Sequence, residues 1–155
     1  MSEAVRVVRA GPEQADAATR LFRAYLAFYE KAVSPEAAFA FMDARLRQRD
    51  SVIFLAEVEG HALGFMQLYP AFASLSLAPS WILNDLFVDP AGRGKGIGTA
   101  LMKAAHELGV ATGAAEIFLQ TARSNETAQS LYRGLGYQRD DEFLVYTLAL
   151  PPFPY

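Results

Sequence analysis

Cysteine is absent from the 155 residues, which removes disulfides, thiolate metal sites and cysteine nucleophiles together. Histidine is nearly as scarce. His61 and His106 are the only two, they stand far apart with no acidic partner at ligand spacing, and they read as ordinary strand and surface residues, so no metal is expected. Long apolar runs are missing as well. No stretch reaches the ~18 apolar residues that a membrane span needs, and Met1 to Ala10 mixes arginines with its valines where an export signal would be apolar throughout. No membrane partner is expected, and the expected compartment is the cytoplasm. Blocks of lysine and arginine are also lacking, and a net charge of −3 offers no attraction to a polyanion, so nucleic acid is not an expected partner.

What is present describes one globular domain over residues 1–155, with 52% apolar and 20% charged residues and enough length to bury a core. Val5 to Arg9 reads as a strand. Gly11-Pro12 starts a helix to about Lys31, whose apolar face recurs at Ala18, Leu21, Phe22, Tyr25 and Leu26. Ser34-Pro35-Glu36 starts a second helix with an N-cap, a proline at N1 and an acidic first turn, and it should end near Arg49. Ser51 to Val58 and Ala62 to Tyr69 form a hairpin about Glu59-Gly60, closed or bent by Pro70. Ala71 to Ser80 reads as a loose segment.

Trp81 to Val88 is a third strand of this group, stopped by Asp89-Pro90. Glycines 92 to 98 then lead into a helix carrying Ile97, Leu101, Ala105 and Leu108. Ala115 to Thr121 reads as strand, Asn125 to Leu135 as helix capped by Gly136, and Phe143 to Leu150 as a last strand. The order is β-α-α-β-β-β-α-β-α-β, a mixed α/β sheet with antiparallel hairpins and helical crossovers between parallel strands. The apolar Pro-Pro-Phe-Pro-Tyr end is a candidate homodimer contact.

The segment Arg93-Gly94-Lys95-Gly96-Ile97-Gly98-Thr99 sets glycines, two cations and a hydroxyl at a helix N-terminus, where orphan N–H groups and the helix dipole attract a phosphate. A P-loop is disfavoured, because Lys95 lies inside the loop while Thr99 directly follows Gly98. The dinucleotide pattern G-x-G-x-x-G also fails, since starts at Gly92, Gly94 or Gly96 end on Ile97, Thr99 or Leu101. What fits is R-x-x-G-x-G at Arg93, Gly96 and Gly98. Downstream, Asn125, Ala128, Tyr132, Gly136 and Tyr137 fit N-x-x-A-x-x-x-Y-x-x-x-G-[FY].

The two motifs in this order resemble the GNAT (GCN5-related N-acetyltransferase) superfamily, over roughly residues 50 to 150. The resemblance implies a GNAT fold with splayed fourth and fifth strands. It implies acetyl-CoA as co-substrate, with its pyrophosphate on Arg93, Gly94, Lys95, Gly96, Ile97, Gly98 and Thr99. Pantetheine would lie along Leu86, Phe87 and Val88, and the Val88 N–H would meet the thioester carbonyl, where an aligned donor can stabilise an oxyanion by about 3 kcal/mol. Asn125 would cap its helix and bind pantetheine. Tyr132, two helical turns on and facing the same way, would protonate the departing thiolate. The competing reading is an acyl-CoA-binding regulatory module without turnover.

Leu83-Asn84-Asp85-Leu86-Phe87-Val88 resembles the fourth strand of the spermidine/spermine and thialysine acetyltransferases and of the yeast histone/polyamine acetyltransferases. That resemblance implies an amine acceptor, either a polyamine-like or amino-acid-like molecule or a lysine-bearing peptide. In the spermidine group two acidic residues stand here and the first accepts the proton through water. Asn84 cannot, so the base is Asp85, water, or a carboxylate such as Glu30 or Glu57, and Asp85 also has a purely structural reading. Tyr25 to Tyr29 could wall a cationic amine by cation–π contact or belong to the core.

Overall fold

A computed structural model describes residues 4–152. They fall into two compact units that divide between Gln120 and Thr121. The first unit holds β1 (Val5–Arg9), α1 (Ala15–Phe28), α2 (Pro35–Gln48), β2 (Val52–Val58), β3 (His61–Ala73), β4 (Ala78–Val88), α3 (Ile97–Ala111) and β5 (Ile117–Leu119). The second holds α4 (Glu126–Gly134).

The sheet of the first unit runs in the order β1-β2-β3-β4-β5. Its first three pairings are antiparallel and β4–β5 is parallel, as the hairpins and the α3 crossover require. The β2–β3 turn places Glu59 at φ 51° and Gly60 at φ 79°, the paired left-handed residues that match the twist of a tight hairpin. Apolar residues of β2 and β3 alternate between two cores. Ile53, Leu55 and Phe65 pack with Leu21 and Phe22 of α1 and Met42 and Leu46 of α2. On the opposite face, Gly64 meets Ile97 and Leu101 of α3.

The helix boundaries follow local chemistry. A short 3-10 turn over Pro12–Gln14 precedes α1. Ser34 caps α2 by accepting the Ala37 N–H at 3.1 Å, and Arg49 at φ 52° ends it. Asn125 caps α4 by accepting the Ala128 N–H at 3.1 Å, and Gly136 at φ 92° stops the chain there.

Two expectations are corrected. Ala71 to Ser80 is not a loose loop, because β3 and β4 continue through it as one long hairpin, with Phe72 opposite Pro79 and Ala73 opposite Ala78. Pro70 does not end β3. The β2 pairing stops at Leu68 and the opposite residue, Trp81, sends its N–H away to Glu116, so the position without an N–H faces an edge where no ladder bond is missing. The second correction is Phe143 to Leu150, which forms no strand. Its alternation is strand-like, but pairing is a property of two segments, and the described part of its unit contains a helix and no strand. Phe143, Leu144, Tyr146 and Leu148 are accordingly exposed. Of the apolar end proposed as a dimer contact, residues 153–155 lie outside the described residues. No helix among those described is long and apolar enough to cross a membrane.

Gly64 fixes how closely α3 seats on the sheet, since a Cβ there would stand 2.5 Å from Ile97 Cγ2. Gly64→Ala should therefore lower stability by ~1–3 kcal/mol, read as a lower denaturant midpoint. Adding Ile97→Leu, which removes the branch that clashes, should recover part of the loss. A Gly64→Ala variant as stable as the parent would contradict this packing.

Candidate active site

The site is built outward from the end of β4. Trp81 donates its N–H toward β5, to Glu116 O at 3.2 Å, whereas Asp89 donates toward β3, to Leu63 O at 2.8 Å. Both are odd-numbered, and strict alternation would send both the same way. The difference comes from a β-bulge. Gln67 lies opposite Asp85 and Leu68 opposite Leu83, so Asn84 is an extra residue in β4, and an extra residue reverses the direction of every N–H after it. Counting back from Asp89, the Phe87 N–H faces β3 while those of Leu86 and Val88 face the other side. The β5 ladder covers Trp81 to Leu83 and goes no further. The fourth and fifth strands thus part where the Leu86 and Val88 amides turn outward.

Beyond Val88 the chain is tied down before the glycine loop. Asp89 accepts the Ala91 N–H at 2.8 Å and pairs with Arg20 at 3.7 Å, while Gly92 is buried against Ile97 and Leu63, where a Cβ would stand 2.7 Å and 2.9 Å from their side chains. Gly94 and Gly96 both adopt φ 77°. Open space surrounds each, so the glycines are required for backbone conformation and not for room. Gly96 is the N-cap of α3 and no side chain caps that end. The amides of Ile97, Gly98 and Thr99 begin the helix there, with Arg93, Lys95 and Thr99 exposed around them, a geometry suited to an anion.

Asp85 is the other pole. It is 5% exposed, on the α1–α2 face of the sheet with Phe87, two residues on. Gln67 donates to its Oδ2 at 2.9 Å and Asn84 to its Oδ1 at 3.2 Å; Ser51 donates to Gln67 Oε1 at 2.8 Å. Of the alternative carboxylates, Glu57 sits opposite Arg6 of β1 and Ala62 of β3, and Glu30 follows the end of α1, exposed, at φ 57°. Of the α1 aromatics, Tyr25 packs against Phe22, Phe65 and Phe87, whereas Phe28 and Tyr29 are 60% and 47% exposed and Phe28 stands 6.4 Å from Phe87. Tyr25 belongs to the core; Phe28 and Tyr29 extend it to the surface.

In the second unit, Asn125 and Tyr132 occupy α4 two turns apart, both half-buried. Tyr137 packs on Tyr132 at 6.0 Å between ring centres and donates its N–H to Tyr132 O at 3.0 Å. Burial pushes the Tyr137 phenol up. Among the described residues no group of His, Asp and Glu could hold a metal ion.

Ser51, Gln67 and Tyr69 escaped the sequence reading. Their one signal was a glutamine inside the apolar run Phe65-Met66-Gln67-Leu68-Tyr69, which lacks meaning until the register sets Asp85 beside it. The Tyr69 phenol is pushed up to about 12, by burial first, then by the negative charge of Asp85, with Arg45 opposing.

Known proteins resemble this chain along most of its length. The model of the acetyltransferase (GNAT) family matches residues 18–137. The uncharacterized N-acetyltransferase YhfO of Bacillus subtilis (strain 168) is 42% identical over 147 residues, 95% of this chain and 99% of its own. The crystal structure of a probable acetyltransferase superposes with a TM-score of 0.89 at 38% identity, over 95% of this chain and 99% of that one. The D-amino-acid N-acetyltransferase HPA3 of Saccharomyces cerevisiae is 28% identical over 83% of this chain and 82% of its own.

The Tyr69 shift has a consequence for stability. Its folded value lies above the ordinary 10.0, so its contribution is complete below pH 10 and is lost as pH rises through about 12. Denaturant midpoints measured across that window should fall less steeply for Tyr69→Phe than for the parent. Equal slopes would contradict the assignment.

Proposed function

The chain belongs to the GNAT acetyltransferase family and is an N-acetyltransferase; from that premise we propose that it transfers the acetyl group of acetyl-CoA to a primary amine by direct attack. The amine belongs to an amino-acid-like or polyamine-like small molecule or to a lysine side chain. The observation that carries the reading is the reversal at Asn84, which turns the Leu86 and Val88 amides to the side where the β5 ladder has ended. An extended pantetheine could pair with such an edge as an added strand would. The family match runs from residue 18 to 137, across both units, which supports one catalytic domain.

Each residue then has a task. The amides that open α3, together with Arg93, Lys95 and Thr99, hold the pyrophosphate, and Gly94 and Gly96 supply the turn that brings backbone to its oxygens. Val88 N–H stabilises the oxyanion as the amine attacks the thioester carbonyl. The incoming ammonium must first lose a proton, and Asp85 is the acceptor in this reading. The tetrahedral intermediate then expels the thiolate, and Tyr132 supplies the proton that makes it a thiol. Asn125 caps α4 and holds pantetheine.

The acceptor enters from the α1–α2 face. Phe28, Tyr29 and Phe87 give this side an apolar wall beside the Asp85 carboxylate, which suits an amine carried on an apolar or aliphatic body. The likeness to HPA3, a D-amino-acid N-acetyltransferase, supports the amino-acid-like member of the class.

Thiol release from acetyl-CoA, followed with a chromogenic thiol reagent, suits a protein without cysteine. Across polyamines, D- and L-amino acids and a lysine peptide, one class should give turnover. Tyr132→Phe should lower that turnover about tenfold or more while calorimetric acetyl-CoA binding persists, whereas Gly96→Val should weaken binding itself. Unchanged turnover in Tyr132→Phe would refute the assigned acid.

A further inference from the structure

A fully buried glutamine is costly in a sheet centre unless its amide is satisfied. Gln67 is 0% exposed, on the central strand β3, opposite Ile53 of β2 and Asp85 of β4. Its partners decide which way its amide points. An ionised carboxylate can only accept, so the NH2 end must face Asp85 and the carbonyl end must face Ser51, whose hydroxyl donates. The two bonds, 2.8 Å and 2.9 Å, make a chain of one polarity from Ser51 through Gln67 to Asp85 Oδ2. Ser51 is itself buried, so the chain is anchored away from solvent. At the other oxygen, Oδ1, the contact is the longer one from Asn84, an exposed residue.

We propose that Gln67 is a positioning residue, locked by Ser51, that engages Asp85 Oδ2 so that Oδ1 alone receives the proton of the acceptor ammonium. This rests on the reading of Asp85 as proton acceptor. In the step, an N–H bond of the ammonium breaks, its electron pair stays on nitrogen for the attack on the thioester, and an O–H bond forms at Oδ1. The acid later returns the proton to solvent. Gln67 keeps its bond to Oδ2 in both states, since a carboxylic acid retains an accepting oxygen. The carboxylate is thereby held in one rotamer throughout turnover.

The charged and titratable groups around this chain are few. Tyr69 lies on β3, Arg45 and Asp50 stand at the end of α2, paired at 2.9 Å, and Tyr25 packs from α1. Tyr69 also interacts with the Gln67 side chain, so Tyr69→Phe is the control for the loss of that contact when Gln67 is replaced.

The test follows the Asp85 carboxyl by carbon-13 NMR of aspartate-labelled full-length protein, assigned with Asp85→Asn. Gln67→Leu removes the donor to Oδ2, so the Asp85 resonance should move and broaden as the carboxylate loses its single rotamer. Ser51→Ala leaves the Gln67–Asp85 contact in place but unlocks the amide, so a smaller change of the same kind is expected. An Asp85 resonance that stays put in the variants that fold would overturn the proposal. Turnover with spermidine or D-phenylalanine separates this from the reading beneath it. Undiminished turnover in Asp85→Asn would refute Asp85 as acceptor whatever the spectra show. Loss in Asp85→Asn with no fall in kcat for Gln67→Leu would refute the positioning role alone.

Discussion

The single extra residue in β4 is the constraint on which the rest depends. Were Asn84 paired in the ladder as an ordinary residue, the chain from Asp85 onward would keep the alternation set by Trp81, and the Leu86 and Val88 amides would point into the β3 ladder. Because Asn84 is bulged out of the ladder, Asp85 stands directly across from Gln67 on the α1–α2 face. One bulge therefore does two things at once. It turns backbone donors to the open side of β4, and it buries a carboxylate within reach of neutral amides on the α1–α2 face. The parting of β4 from β5 after Leu83 makes the released donors useful.

A second constraint sets the glycine loop close to the end of β4. Ile97, the first residue of α3, is buried against Gly64 and Gly92, so the helix begins close on the sheet directly after β4. The left-handed turns at Gly94 and Gly96 leave the helix start uncapped by any side chain. A helix seated further out would separate its opening amides from the Leu86–Val88 edge, and the coenzyme contacts proposed for the two could not be made together.

Much of this was readable in the sequence because it is local. The cap at Ser34, the turn at Glu59-Gly60, the glycine loop and the cap at Asn125 each depend on a few adjacent residues, and each appears where those residues place it. The family, too, follows from two short motifs in order. What was not readable is pairing. Pro70 looked like a strand end because its edge position depends on where β2 stops, and Ala71 to Ser80 looked loose because its partner is itself. Phe143 to Leu150 has the alternation of a strand but no partner strand among the described residues of its unit. Gln67 and Ser51 were invisible for the same reason, since only the register across three strands makes them neighbours of Asp85. Asn84 cannot be a base, as its side chain dictates, and only the pairing shows that it is also the residue that shifts the register.

The most direct test of the account is residue-resolved amide hydrogen exchange across β4, with and without acetyl-CoA. The Phe87 and Asp89 amides, which face β3, should be protected in both states, and the Leu86 and Val88 amides should gain protection when the coenzyme saturates. No gain at Leu86 and Val88 under saturating acetyl-CoA would contradict the claim that these amides receive it.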